Sequence, residues 1–210
     1  MKKHNIITVT RKTTESEMRV SLDFNGLAPD YRKKIHTPAP FFSHMLEHIA
    51  WRSGVTVSVD ISLDEFFLHH VVYEDLGITF GKAVREYILR NKPNGATGYG
   101  DGIGIIDEAK AVCAVSFEER AYFGCDMSKI QLPVSTEGVN SEDLSTFLEG
   151  FCQGAMCTLH LDIDKGVNGH HIWEAAFRAF GIALGRAFYL DERRKNMSAG
   201  VAGSVQFTIE

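Results

Sequence analysis

The chain has 210 residues, of which 44% are hydrophobic, so it is long enough for one large domain or two small ones that share a core. Its formal net charge is -5, with 22 Lys and Arg residues against 27 Asp and Glu, which argues against a general nucleic-acid surface or an acidic-membrane binder. The N-terminus has no apolar signal-peptide core, no stretch is apolar enough to span a bilayer, and the four cysteines form no CxxC pair. We therefore expect a soluble, unprocessed protein of the reducing cytoplasm, with no nucleic-acid or membrane partner.

The first half of the chain predicts strands, a helix, a strand and a second helix. Residues 6–24 alternate apolar and polar side chains and are rich in β-branched residues, which predicts two strands or one long strand. The polar, proline-containing segment 27–40 predicts a loop, and a helix is expected to begin near Phe41 with Ser43 as its cap. Residues 55–63 have the period of a strand, and residues 69–89 have that of a helix.

The second half predicts a similar succession of elements. Residues 91–104 are the glycine-richest stretch, so we expect a loop there. Residues 109–123 predict a pair of strands, 141–154 a helix, 156–163 a strand, and 170–189 a long helix.

The two halves resemble each other at an offset of one hundred residues. The matching pairs are His70 with His170, Glu74 with Glu174, Phe80 with Phe180 and Gly81 with Gly181. This indicates an internally duplicated strand and helix unit, in which residues 1–95 form the first half and 96–210 the second. We expect the two half-domains to pack into one pseudo-symmetric α+β domain.

Six of the nine histidines fall into three clusters, which are His44 with His48, His69 with His70, and His170 with His171. Residues four apart share one face of a helix, so each of the two later helices presents an imidazole beside a carboxylate. These pairs are His70 with Glu74 and His170 with Glu174. Adjacent helical residues diverge by roughly 100°, so His170 and His171 are expected to serve two ions or two subunits.

A single imidazole and carboxylate pair leaves a metal ion under-coordinated. Further ligands must therefore come from elsewhere, and His44, His160 and the opposite repeat are the candidates. A set of imidazoles and carboxylates without thiolates suits Mn²⁺, Fe²⁺ or Zn²⁺.

Several ordered motifs resemble those of the imidazoleglycerol-phosphate dehydratase family. They are RKTTES at 11–16, FFSHMLEH at 41–48, YED at 73–75, IDEA at 106–109, TLHLD at 158–162 and NGHHIWEAAFRAF at 168–180. The resemblance extends over nearly the whole chain and includes the surroundings of Arg120.

This resemblance implies a metal-dependent hydro-lyase of histidine biosynthesis, which eliminates water from imidazoleglycerol phosphate through a metal-bound imidazolate. It also implies two Mn²⁺ ions per active site, bound between subunits, and a homo-oligomeric shell of twenty-four subunits. Glu15 matches the acidic residue that works on the substrate, as general base or acid. The implied metal ligands are His44, His70, Glu74, His160, His170, His171 and Glu174. The implied substrate-binding residues are Arg120, Arg178 and Ser198.

The first metal motif departs from the family pattern by one residue. The family has two adjacent histidines with a glutamate three after the second, whereas Glu74 here comes four after His70 and five after His69. Either Val71 occupies the lost ligand position, or a one-residue π-bulge brings both histidines into use. His48 and His69 are therefore further candidate ligands.

The phosphate-binding residues depart further from the family. Gly98 stands where the family has an arginine, and Ala199 where it has a lysine. Losing two charge-assisted contacts, each worth roughly 1.5–3 kcal/mol, should weaken phosphate binding. One alternative is therefore a divergent paralogue that acts on a non-phosphorylated imidazole or azole compound. Another is a metal-binding oligomer without catalysis, against which the retention of Glu15 speaks.

Overall fold

Nine strands and four α-helices make up the part of the chain that the computed structural model describes, residues 5–64, 67–203 and 208. The first half contains β1 (Ile6–Lys12), β2 (Ser16–Asp23), α1 (Pro40–Ser53), β3 (Thr56–Leu63), a π-helical turn (Val71–Asp75) and α2 (Leu76–Asn91). The second half contains β4 (Tyr99–Ile106), β5 (Ala109–Ser116), β6 (Tyr122–Asp126), β7 (Ser135–Thr136), β8 (Val139–Asn140), α3 (Ser141–Ala155), β9 (Thr158–Lys165) and α4 (Gly169–Ala187). Short 3-10 turns occur at Tyr31–Lys34, Lys92–Asn94 and Glu192–Arg194. The expected α+β class with a repeated strand and helix unit is confirmed.

The first sheet has the strand order β1-β2-β3, with antiparallel pairing throughout. Met18, Val20 and Leu22 are buried on the inner face of β2, while the alternating residues Glu17 and Arg19 are exposed, as the period of two predicts. Helix α2 packs on this sheet. The predicted strand region at 6–24 is therefore a hairpin that carries the first long helix.

The second sheet has the order β4-β5-β9-β6, in which only β6 runs parallel to its neighbour. Leu159, Leu161 and Ile163 of β9 are buried on its inner face. Helix α4 packs on β4 and β5. Among the helices of the described ranges, none combines the length and apolarity needed to cross a membrane.

The prediction of a loop over residues 91–104 is wrong from residue 99 onward, because Tyr99–Ile106 forms strand β4. The glycines of this strand face helix α4. A Cβ added at Gly100, Gly102 or Gly104 would lie 1.9–2.2 Å from a backbone carbonyl oxygen of that helix. These glycines therefore permit close packing of helix on strand instead of a chain reversal.

Two smaller predictions are also corrected. Residues 109–123 are not a strand pair, because β5 ends at Ser116 and the next strand, β6, pairs with β9. Ser43 is not the cap of α1, which begins at Pro40 after Ala39. The Ser43 hydroxyl instead accepts a hydrogen bond from the backbone N–H of Thr37 at 3.2 Å, within the first turn.

The shorter helix of each half packs against the longer helix of the other half. Helix α1 packs on α4 of the other half, and α3 packs on α2. Both shorter helices end in the left-handed conformation, α1 at Gly54 (φ 73°) and α3 at Met156 (φ 52°), and a strand follows each. Equivalent positions in this part of the repeat thus lie 102 residues apart, the difference between 156 and 54. The exact division at residue 95 stays a prediction.

Candidate metal centre

Two histidines of α1 face a buried carboxylate of α4. His44 and His48 lie one helical turn apart, and their Nε2 atoms are 3.3 Å from each other. The Nε2 atom of His48 is 3.3 Å from Oε1 of Glu174, and that of His44 is 3.6 Å from Oε2. One ligand atom from each of these three residues lies within 4.8 Å of the others.

His170, in the first turn of α4, lies beside this group and contacts the same carboxylate. Its Nε2 atom is 3.0 Å from Oε2 of Glu174, and its ring centroid is 5.4 Å from that of His44. The cap residue Asn168 accepts a hydrogen bond from the His170 backbone N–H at 2.8 Å and thereby starts the helix. We call His44, His48, His170 and Glu174 the α1–α4 cluster.

Two glycines of α4 allow α1 to approach closely enough for this contact. A Cβ at Gly181 would lie 3.0 Å from the carbonyl oxygen of His48, and a Cβ at Gly185 would lie 3.1 Å from the Cα of Ser53. Both distances are shorter than ordinary van der Waals contact. Larger residues at these positions would push apart the two helices that carry the ligands.

The charge of Glu174 is balanced inside the protein. Arg178, one turn further along α4, donates a hydrogen bond to Glu174 Oε1 and another of 2.7 Å to the carbonyl oxygen of Ile105. Burial raises the pKa of Glu174, but its interactions with His48, Arg178 and His170 outweigh this, so the net pKa is lowered. Burial lowers the pKa of His48 to about 4, although the charge of Glu174 opposes this, so its imidazole is neutral near pH 7 and able to bind a cation.

This donor set fits a divalent metal ion. It combines imidazole nitrogens with one carboxylate, has no thiolate, and is brought together by two helices from opposite halves of the chain. His44, His170 and Glu174 were implied as ligands by the family resemblance. His48 had been only a further candidate, and it lies inside the cluster.

His171 points away from His170, as the angular separation of adjacent helical residues predicts. The two rings are inclined at 82°, with centroids 6.1 Å apart. The Nδ1 atom of His171 lies 2.8 Å from Oε2 of Glu108, the residue directly before β5. A backbone hydrogen bond from Asn168 and the bond from His171 hold the pKa of Glu108 at about 2, and Glu108 in turn raises the pKa of His171.

The π-helical turn resolves the register of the first histidine pair. Val71 is buried in the core, so it does not occupy a ligand position. A π turn bonds residues five apart, and it therefore absorbs the one extra residue between the histidines and Glu74. That this turn brings both His69 and His70 into use as ligands beside Glu74 stays a prediction.

The carboxylate assigned to the substrate lies on the hairpin that contacts the π turn. Glu15 is exposed in the turn between β1 and β2, and Arg11 of the same hairpin binds Asp75 of the π turn at 2.6 Å. Burial is the largest cause of the raised pKa of Asp75, and the charges of Glu74 and Glu15 raise it further. The Glu15 side chain is therefore within electrostatic reach of Asp75 in the π turn.

His160 lies apart from these groups. It is exposed on β9, beside Gly124 and with its ring centroid 5.5 Å from that of Tyr122. Within the described residues of one chain it contacts no other implied ligand. Its assignment as a ligand stays a prediction.

The two positions that lack the family's cations touch each other. A Cβ at Gly98 would lie 3.0 Å from the Cβ of Ala199. Ala199 and Ser198 line a cavity of about 170 Å³, and its charged lining residues are Arg85, Lys92, Glu118 and Glu119. Arg85 binds Glu119 at 2.6 Å, so a carboxylate of the lining neutralises this cation.

The other implied substrate residues are dispersed. Arg178 lies in contact with the α1–α4 cluster, and the Ser198 hydroxyl donates a hydrogen bond of 2.6 Å to the carbonyl oxygen of Gly200. Arg120 is exposed at the start of β6, where its backbone N–H donates to the carbonyl oxygen of Met156 at 3.1 Å. Their roles in substrate binding stay predictions.

Sequence reasoning missed the carboxylates that bind the histidines, among them Asp143 and Glu137. They are distant in the chain from their partners and follow no motif spacing. The repeat offered one signal, because Glu15 directly precedes β2 as Glu108 directly precedes β5.

Comparison with known proteins places the chain among relatives of one kind. The family model described as imidazoleglycerol-phosphate dehydratase matches residues 37–184. The chain is 36% identical over 201 residues to the imidazoleglycerol-phosphate dehydratase of Burkholderia cenocepacia (strain HI2424), covering 95% of this chain and 99% of that protein. It is 34% identical over 203 residues to that of Cupriavidus metallidurans, with the same coverage.

Solved structures with the same family name superpose on this chain. The crystal structure of IGPD from Pyrococcus furiosus in complex with (S)-C348 superposes with a TM-score of 0.76 at 30% identity, covering 93% of this chain and 99% of that chain. The imidazoleglycerol-phosphate dehydratase structure from Staphylococcus aureus subsp. aureus N315 gives a TM-score of 0.72 at 26% identity, covering 89% and 99%.

His48→Ala should lower the affinity of the protein for Mn²⁺ if His48 is a ligand. We expect a loss of at least the roughly 10–100-fold that removal of a ligand's supporting partner typically causes. The affinity is measured by titration of metal-free protein, with His36→Ala, an exposed histidine outside the cluster, as the matched control. Equal Mn²⁺ affinity in the two variants would remove His48 from the ligand set.

Proposed function

The chain belongs to the imidazoleglycerol-phosphate dehydratase family, and we propose on that premise that it is the hydro-lyase that removes water from imidazoleglycerol phosphate in the cytoplasm. The observation that carries the proposal is the α1–α4 cluster, in which three imidazoles surround one buried carboxylate. Metal storage alone would not require the exposed carboxylate of Glu15, which the family pattern places on the substrate.

We assign one metal ion to His44, His48, His170 and Glu174. A divalent ion bound there supplies a Lewis acid for the substrate's imidazole ring, and Mn²⁺ suits these donors. The protein's contribution is to keep the donors in place. Arg178 and the close contact of the two helices hold the Glu174 carboxylate, and the low pKa of His48 keeps its lone pair available.

We assign a second ion to the half-site formed by His69, His70 and Glu74. Counting back from the helix ends, Thr146 and Gly150 of α3 are equivalent to His44 and His48 of α1. Helix α3 therefore contributes no imidazole here, and a Cβ at Gly150 would lie 2.4 Å from the carbonyl oxygen of Glu74. The two half-sites are unequal although the fold is repeated.

The missing ligands of this second half-site are best supplied by other copies of the chain. His160 and His171 are the implied ligands that lie outside both the α1–α4 cluster and this half-site. His160 is exposed and His171 is partly exposed, so both can reach a neighbouring subunit. We therefore propose that each active site, with two Mn²⁺ ions, forms between subunits of a homo-oligomer, and that the oligomer is a shell of twenty-four.

Glu15 is the residue to which we assign proton transfer. The reaction takes a proton from the carbon beside the ring and releases a hydroxyl group as water. The backbone of Glu15 is held by hydrogen bonds to the Thr13 hydroxyl (3.1 Å) and from the Asp64 N–H (3.0 Å). An exposed carboxylate on a turn held in this way can remove a proton from a substrate beside it or return one.

A second candidate function is the same chemistry on a non-phosphorylated imidazole or azole compound. The cavity beside Gly98 and Ala199 supports it, because its two cationic lining residues are balanced by two carboxylates. A phosphate dianion normally requires several uncompensated charge-assisted contacts. The distal group of the substrate would then be neutral.

Replacing Glu15 should abolish catalysis without loss of metal. Glu15→Gln is expected to lower kcat for imidazoleglycerol phosphate roughly 10²–10⁴-fold, the usual contribution of a general acid or base. Glu17→Gln, an exposed carboxylate on β2, is the matched control. A Glu15→Gln variant with the kcat of the wild type would exclude Glu15 from the chemistry, and a wild-type protein without turnover would favour the second candidate.

Metal removal should dissociate the oligomer, because the second half-site is incomplete in one chain. Light scattering after thorough chelation should show smaller species, and addition of Mn²⁺ should restore the large particle. A particle of unchanged mass after complete removal of metal would contradict shared metal sites.

Restoring one cation should improve binding of a phosphorylated substrate. Ala199→Lys adds a charge-assisted contact worth roughly 1.5–3 kcal/mol, so kcat/KM for imidazoleglycerol phosphate should rise at least about tenfold. Gly98→Arg is a poorer test, because Gly98 has a φ of 69° and its Cβ would crowd Ala199. Ala202→Lys, which adds the same charge outside the cavity lining, is the control.

If Ala199→Lys leaves kcat/KM unchanged while the wild type turns over efficiently, other groups bind the phosphate. The second candidate function would then be wrong.

A further inference from the structure

Four histidines share one hydrogen-bond arrangement, in which the Nδ1 atom faces a carboxylate oxygen. The pairs are His44 with Glu47 (3.2 Å), His69 with Asp143 (2.8 Å), His170 with Glu137 (2.6 Å) and His171 with Glu108 (2.8 Å). Elsewhere in the described ranges, His36 and His160 have no such carboxylate. The arrangement is thus confined to histidines of the three clusters.

The hydrogen bond between imidazole and carboxylate determines which ring nitrogen can bind a metal ion. An ionised carboxylate only accepts hydrogen bonds, so Nδ1 of the partner imidazole must carry the proton. The lone pair of a neutral imidazole then lies on Nε2. Metal-binding histidines commonly have a carboxylate, carbonyl or water on the second nitrogen, which sets both the tautomer and the ring orientation.

Two of the four carboxylates are themselves held firmly. Asp143 lies buried in the first turn of α3 and accepts a second hydrogen bond, from the Asn140 side chain at 3.0 Å. Glu108 accepts backbone N–H hydrogen bonds from Val167 at 3.2 Å and Asn168 at 2.9 Å. A chance ion pair on a mobile surface would not have its carboxylate fixed in this way.

Asp143 also fits the altered register of the first histidine pair. The π turn moves His69 by one position relative to an uninterrupted α-helix, and Asp143 of the neighbouring helix meets its Nδ1 there. At the equivalent place in the other half, 102 residues earlier, stands Phe41, whose ring centroid lies 5.2 Å from that of His170. Each half therefore supports the first histidine of its pair from the neighbouring helix, by a carboxylate in one case and an aromatic ring in the other.

The Nε2 atom of His171 lies 3.6 Å from Oδ2 of the exposed Asp107, a longer separation than the 2.8 Å between its Nδ1 atom and Glu108. We propose that Asp143 and Glu108 are positioning residues that hold His69 and His171 in the Nδ1-protonated tautomer, which leaves the Nε2 lone pair for a divalent metal ion. This inference rests on the metal-dependent function proposed above. It assigns the two carboxylates no contact with metal or substrate. Their effect is exerted through the two imidazoles.

The variants Asp143→Asn and Glu108→Gln test this, with Glu142→Gln as the matched control. Glu142 precedes Asp143 in the same helical turn but contacts no histidine in the described part of the chain. Two readouts are used: two-bond ¹H–¹⁵N NMR spectra of the imidazoles in metal-free protein, and the Mn²⁺ dissociation constant from titration followed by electron paramagnetic resonance.

We expect each positioning variant to shift its histidine away from the Nδ1-protonated tautomer and to raise the Mn²⁺ dissociation constant roughly 10–100-fold. The Glu142→Gln control should match the wild type in both readouts. Because the Glu108 side chain is 37% exposed and Asp143 is buried, Glu108→Gln should fold normally even if Asp143→Asn does not. A Glu108→Asp variant, with a shorter carboxylate, should recover the tautomer only in part.

Unchanged tautomers and unchanged Mn²⁺ affinity in Glu108→Gln would overturn the inference. A wild-type protein that binds Mn²⁺ and shows the expected losses in the variants, but does not turn over imidazoleglycerol phosphate, would support the positioning role and refute the proposed activity. The two failures are therefore distinguishable.

Discussion

The close contact between α1 and α4 is the constraint on which the metal centre depends. Burying the Glu174 carboxylate would cost several kcal/mol if it were left unpaired. Arg178 and the imidazoles of α1 and α4 satisfy it, and those imidazoles are also the donors that a divalent ion requires. The stability of this helix contact and the capacity to bind metal thus rest on the same side chains. Gly181 keeps the two helices near enough for both.

Helix α4 is held on its other side by the second sheet. The glycines of β4 admit the helix backbone so closely that any side chain at Gly104 would collide with it. Glycine at these strand positions has an entropic cost and contributes no packing side chain. The gain is a rigid placement of the helix that carries His170, His171 and Glu174. The position of the α1–α4 cluster therefore depends on the packing of α4 against α1 on one face and against the second sheet on the other.

The two halves share one fold, but they do not place the same side chains around their histidine pairs. One long helix receives two imidazoles from the shorter helix packed on it, whereas the other meets Gly150 of α3 at the equivalent place. A π turn forms where the sequence has the extra residue before Glu74. The first half compensates with Asp143 behind His69 and with Glu15 on the adjoining hairpin. The two halves therefore differ in the side chains that they place around corresponding histidine pairs.

The sequence by itself determined the helices, most strands and the membership of the histidine clusters, because these follow from local periodicity and from spacing along one helix. It also identified His170 with Glu174 as one pair, since residues four apart must share a face. Only the tertiary structure decided that His48 joins that pair, that Val71 is core, and that residues 99–106 form a strand. Each of these depends on which element packs against which, and local composition does not specify that packing. The glycines of residues 99–106, for example, indicate a loop in the sequence but also permit a helix to lie against a strand. The carboxylates behind the histidines were beyond sequence reasoning for the same reason, because Asp143 lies 74 positions from His69 and meets it only through the packing of α3 beside the π turn.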